Sequence, residues 1–96
     1  MTATTQACPC CGYATLSERG GFEICEVCFW EDDGQDSEDA DIERGGPNQT
    51  SLTVARRNYL KYRASDERAV AHVRSPRSDE PRLRRFVIDG EEVVEE

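Results

Sequence analysis

No run of apolar residues in this chain is long enough to cross a membrane, and the stretch Met1 to Ala7 has neither a basic start nor an apolar core, so no secretory signal is visible. Both absences point to a cytoplasm of bacterial type and away from a membrane role. Histidine occurs once, at His72, and a lone histidine reads as a surface residue rather than a fifth metal ligand or a catalytic base. The chain has no H-E-x-x-H motif, no phosphate-binding glycine loop and no grouping of Ser, His and Asp. The expectation is therefore a protein that is not an enzyme. Apolar residues are also scarce, at 36% of the chain against 33% charged, with aromatics at 7%. A chain of 96 residues hides only about 60 to 65 percent of its unfolded surface on folding. So small a core calls for reinforcement by disulfides or a metal.

Cysteine is what the chain has instead, with five residues at 8, 10, 11, 25 and 28. An odd number leaves one thiol without a partner, which suits a reducing compartment and metal thiolates better than a secreted disulfide framework. Four of the five form two Cys-x-x-Cys pairs, Cys8/Cys11 and Cys25/Cys28, separated by the thirteen residues Gly12 to Ile24. Zinc favours four soft thiolates in a tetrahedron with sulfurs about 2.3 Å away, and two such pairs on facing turns supply that set. The expected site is one zinc ion per chain, held by Cys8, Cys11, Cys25 and Cys28. Iron in a rubredoxin-like site satisfies the same ligands. A thioredoxin-like redox pair is the competing reading of Cys-x-x-Cys, but the βαβ pattern expected beside it is absent. With four thiolates a zinc site is closed, leaving no position for a substrate water. Cys10, between two ligands, reads as a spectator thiol, with an alternative ligand or an oxidisable thiol as the competing readings.

The order of parts suggests a small α+β fold: a metal-stabilised, zinc-ribbon or rubredoxin-like knuckle hairpin packed on one main helix. Residues 1–7 read as a frayed leader. Tyr13 to Leu16 and Phe22 to Ile24 are strand-like runs, and Gly20-Gly21 between them supplies a tight turn, which would put the cysteine pairs at opposite ends of one hairpin. Gly12 would let the first turn curl so that backbone N–H groups face the sulfurs. The second pair carries Phe29 where the first has this glycine, so its turn is expected to be tighter or differently closed. Glu31 to Arg44 lacks apolar periodicity and reads as a solvated loop. Ser51 is a plausible N-cap for a helix to about Tyr62, with Leu52, Ala55, Tyr59 and Leu60 on one face. Ser65 to Glu67 would cap a further short turn. Residues 8–74 thus form the expected metal domain, and 75–96 a linker followed by a loose tail or weak hairpin through Phe86 to Val94.

Cys8-Pro9-Cys10-Cys11-Gly12-Tyr13, followed by Glu23-Ile24-Cys25-Glu26-Val27-Cys28-Phe29-Trp30-Glu31-Asp32-Asp33-Gly34, closely resembles the bacterial cysteine-rich CPCC family. The similarity continues through Gly45-Gly46-Pro47-Asn48, Ser51-Leu52, Ala55-Arg56 and Asn58, covering roughly residues 8–74. The resemblance implies a small zinc-ribbon-like domain and brings no activity with it.

Around the metal, Tyr13, Phe22, Phe29 and Trp30 are expected as core rather than as a ligand platform. Glu31, Asp32 and Asp33 fit no calcium-loop frame and read as solvated charge, or as partners of Arg56 and Arg57 on the helix. The net charge of −8 argues against a sequence-independent grip on nucleic acid, but it is unevenly spread. From Glu18 to Glu43 there are eleven acids and one base, whereas Arg56 to Arg85 carries ten bases and four acids. The first functional reading is a zinc-bound interaction module whose acidic surface meets a basic protein partner. Alternatives are nucleic-acid binding through the Arg-rich segment 56–85, and thiol redox sensing or electron transfer.

Overall fold

The strand-like run after the first cysteine pair turns back on the residues before it. In the computed structural model, which describes residues 6–96, β1 (Gln6–Ala7) pairs antiparallel with β2 (Ala14–Leu16), Gln6 opposite Leu16 and Ala7 opposite Ala14. Gln6 and Ala7 are thus paired, and residues 1–5 of the expected frayed leader lie outside the described residues. The single hairpin expected between Tyr13–Leu16 and Phe22–Ile24 does not form. Residues 22–25 instead run antiparallel to 30–32: Phe22 N–H donates to Asp32 O, Asp32 N–H to Glu23 O, and Cys25 N–H to Trp30 O, each at 2.9 Å. Each Cys-x-x-Cys segment is its own chain reversal, so closure is local and the loop entropy is small. The Gly20 turn wraps Asp32, whose carboxylate accepts from Gly20 N–H at 2.6 Å.

Ser51 opens the main helix α1 (Leu52–Tyr62), its side chain accepting from Val54 N–H at 3.2 Å. Arg63 closes it in the left-handed conformation (φ 62°), its N–H bonded to Tyr59 O. Leu52, Ala55 and Tyr59 are buried as the periodicity requires. Arg56 is buried where Leu60 was expected to contribute, because its guanidinium has partners: Nε donates to Pro9 O at 2.7 Å and the group lies 4.0 Å from the Phe86 ring centroid.

The acidic loop is more ordered than its composition suggests. Asp36 caps a short 3-10 turn at Ser37–Asp39, and buried Gln35 donates to Asp39 O (2.9 Å) and Ile42 O (2.7 Å). A second 3-10 turn, Glu67–His72, is capped by Asp66. The tail also docks: Ala14 N–H donates to Pro81 O, Leu83 N–H to Gly12 O, and Phe86 is buried at the start of β3 (Phe86–Asp89), which pairs with β4 (Glu92–Glu95). The core is one cluster in which Leu16, Val27, Trp30, Leu52, Ala55 and Tyr59 surround the cysteines. No helix among the described residues is long and apolar enough to cross a membrane.

Candidate metal centre

The two cysteine turns repeat the same backbone. Cys8 N–H bonds Tyr13 O and Gly12 N–H bonds Cys8 O, at 2.9 and 2.8 Å. Seventeen positions on, Cys25 N–H bonds Trp30 O and Phe29 N–H bonds Cys25 O, at 2.9 and 2.7 Å. Gly12 and Phe29 occupy the same place with φ of 86° and 73°. The second turn is therefore closed as the first is, contrary to the expectation that its phenylalanine requires another closure. Nor does Gly12 N–H serve a sulfur, since it is taken by Cys8 O.

The turns face each other and bring all four sulfurs of Cys8, Cys11, Cys25 and Cys28 within 4.8 Å of one another. Across the turns, Cys8 Sγ lies 3.6 Å from Cys28 Sγ and Cys11 Sγ 3.8 Å from Cys25 Sγ. A tetrahedron with arms of about 2.3 Å has edges of about 3.8 Å, so this cluster could hold a metal ion. No cysteine among the described residues is in a disulfide, and the four are at most 1% exposed. Burial pushes the Cys11 and Cys28 thiols well up; neighbouring sulfurs raise Cys28 further and act on Cys11 in both directions, while Cys25 is held far down because it accepts hydrogen bonds from Cys11, Cys28 and Cys8. So many buried sulfurs are poorly accommodated as bare anions. A central cation reverses that balance by favouring every thiolate at once.

Sequence reasoning missed two contributors. Thr15, buried in β2 between Ala14 and Leu16, places its hydroxyl 3.0 Å from Cys25 Sγ, where it can donate to a thiolate. Its signal was a polar residue in a three-residue strand whose neighbours are all apolar. Asp36 is the second: it accepts from Arg19 Nη1 at 2.8 Å and from Arg84 at 2.8 and 3.1 Å, with Arg56 at 3.5 Å. Burial opposes its ionisation, but the bonds from Arg84, Arg19 and Ser37 N–H outweigh burial and hold the carboxyl well below the usual range. Asp36 thereby ties the acidic loop, the helix and the tail together.

Other expected residues are distributed differently. Cys10 is buried beside the cluster but outside the set of four, its thiol pushed up by burial. Of the aromatic residues, Trp30 is fully buried and Tyr13 packs half-buried on the core, whereas Phe22 and Phe29 are 57% and 40% exposed. The side chains point outward because the turn geometry, rather than hydrophobicity, sets positions 22 and 29. Asp32 pairs with Arg19 at 3.0 Å, Glu31 exchanges backbone bonds with the Asn48 amide, and Arg57 bonds Glu91 O, so the expected pairing of these acids with Arg56 and Arg57 does not occur. His72 is exposed and stacks on Phe29 with ring centroids 5.4 Å apart.

Fold and site define a small α+β protein with two short antiparallel hairpins, one main helix and a buried cluster of four cysteines able to bind a metal. The profile of the family described as "Cysteine-rich CPCC" matches residues 6–80, reaching beyond both ends of the segment 8–74, and the chain belongs to that family. No curated protein and no solved structure matches it.

Proposed function

We propose that the chain binds one structural zinc ion through Cys8, Cys11, Cys25 and Cys28 in a zinc-ribbon-like centre, and acts as a non-enzymatic module that binds a basic protein. The observation that carries the metal assignment is the cluster of four sulfurs, fully buried and spaced as a tetrahedron requires. Four thiolates complete zinc's coordination, so the ion contributes stability rather than chemistry.

Support for a protein partner comes from the second cysteine turn. Phe29 is held in the left-handed conformation, which costs a residue with a side chain about 1–2 kcal/mol, yet it is exposed. Beside it, Ile24 is 46% exposed, and the two line a depression of about 330 Å³ with Pro47, Ala69 and His72. Glu31 and Asp66 also line the depression, so these apolar side chains stand beside acids that a basic protein could pair with. A second copy of the chain would bring the same charge of −8, whereas a basic partner is attracted to it.

Metal analysis of protein purified without added metal tests the first part: one zinc per chain, with loss of circular dichroism on chelation, is expected. Iron, or a metal-free folded chain with oxidised cysteines, would overturn it. Affinity purification with the wild type and with Phe29→Gly tests the second. A Lys- and Arg-rich protein should be retained by the wild type only, and equal retention by both proteins would sink this surface assignment.

A further inference from the structure

The cations of this acidic chain are not all spent on acids. Of the twelve Lys and Arg residues, Arg57, Lys61, Arg63, Arg77 and Arg82 form no ion pair among the described residues. Three of these five, Lys61, Arg63 and Arg82, lie against the tyrosines of one cleft. It has a volume of about 450 Å³, lies between the end of α1 and residues 70–76, and has three tyrosines, Tyr13, Tyr59 and Tyr62, in its lining. Tyr13 and Tyr59 form an edge-to-face pair with centroids 6.4 Å apart.

Each ring has a cation beside its face: Arg82 at 5.7 Å from Tyr13, Arg63 at 5.6 Å from Tyr59 and Lys61 at 5.2 Å from Tyr62. No acid among the described residues lines the cleft. Of the four acids between Arg56 and Arg85, Asp66 is held by Arg68 and Glu80 by Arg74, which leaves Glu67 and Asp79. Among the described residues only three buried side-chain nitrogens lack a partner, and two of them, Nε of Arg74 and Nε of Arg82, belong to this neighbourhood. Aromatic faces interleaved with free cations are what a flexible polyanion with π-faces needs, because stacking and phosphate pairing are then available together.

We propose that this cleft binds single-stranded nucleic acid, with bases stacking on the half-buried Tyr13 and Tyr62 and phosphates meeting the three unpaired cations beside the tyrosines. This site is independent of the Phe29 surface, so either can fail without the other. The footprint is small, and with about three phosphates contacted the logarithm of affinity should fall with the logarithm of salt with a slope of roughly −2. A duplex presents its bases already stacked and should bind far more weakly.

The test is fluorescence anisotropy of a fluorescein-labelled oligothymidylate titrated with metal-loaded full chain at about 50 and 200 mM salt. Tyr62→Ala should weaken binding about tenfold with the salt slope unchanged. Arg63→Gly suits the left-handed backbone there and should lower the slope by about 0.7. Arg68→Ala, whose guanidinium is already paired with Asp66, should leave both unchanged. Circular dichroism and metal content check that each variant is folded. No anisotropy change at the lower salt overturns the proposal. Equal competition by inorganic polyphosphate would reduce the site to charge alone, and equal competition by polyglutamate would reassign it to an acidic protein; either result also overturns the proposal.

Discussion

The first cysteine turn has Gly12 at its left-handed position, and the C-terminal segment lies directly against it, with Leu83 and Arg84 N–H groups both on Gly12 O at 2.8 and 3.1 Å. The second has Phe29 at the same position and is covered differently. Ser65 N–H takes Cys28 O at 2.7 Å and Arg74 N–H takes Glu26 O at 3.2 Å, while the Phe29 ring stays on the surface under His72. A Cβ on Gly12 would sit 1.9 Å from Arg84 O, so a residue such as Phe29 there would expel the tail. One backbone motif is thus used twice. The residue without a side chain is covered by the chain itself, and the residue with one is left facing outward.

The largest expected effect tests what the two turns share. Chelating the zinc ion proposed for the four cysteines, or Cys28→Ser, should remove a contribution that in small zinc sites reaches about 10–16 kcal/mol, so both turns should unfold together by circular dichroism. Survival of one turn would mean that they are not a single cooperative unit. Phe86→Ala comes next. Phe86 is buried between Arg56 and Arg84, and its truncation should cost about 3–5 kcal/mol in urea unfolding of the metal-loaded protein. Hydrogen exchange should then rise at Leu83 and Arg84 while Phe29 keeps its protection.

Gly12→Ala sharpens the contrast from the other side. Left-handed strain of about 1–2 kcal/mol adds to the clash with Arg84 O, and a total of at least about 2 kcal/mol is expected by the same measurement. Phe29→Gly should change stability by less than about 1 kcal/mol, since relief of backbone strain offsets the missing stacking on His72. If the two substitutions had equal effects, the difference in covering would not be what distinguishes the turns.

A smaller effect still concerns how the tail is fastened over the first turn. The folded-state pKa of Asp36 is lowered, so its ion pairs contribute stability that is fully present above the unfolded value of about 3.9, declines as pH falls below it and is gone only below the folded value. Wild type and Asp36→Asn compared by urea unfolding between about pH 6 and pH 2 should differ progressively less towards the acidic end. A constant difference across that range would remove Asp36 as the titrating clasp.

The grouping of the four cysteines, the helix and the family were legible in the amino-acid order, because each depends on local chemistry. Two Cys-x-x-Cys pairs specify four thiolates at short range, Ser51 and the spacing of Leu52, Ala55 and Tyr59 specify α1, and the cysteine-flanking residues carry the resemblance that the family match extends to residues 6–80. Strand pairing was less legible. Tyr13 to Leu16 and Phe22 to Ile24 had two antiparallel arrangements open to them, and closure of each cysteine turn on itself selected β1 with β2. The fate of the charges and of the tail was settled by tertiary packing alone. Arg56 is buried because Pro9 O, Asp36 and Phe86 converge on it from positions 47, 20 and 30 residues away, and no local pattern encodes a meeting of that kind. The tail is held for the same reason, since two isolated strands are marginal in water and become stable here only against Gly12, Asp36 and the helix.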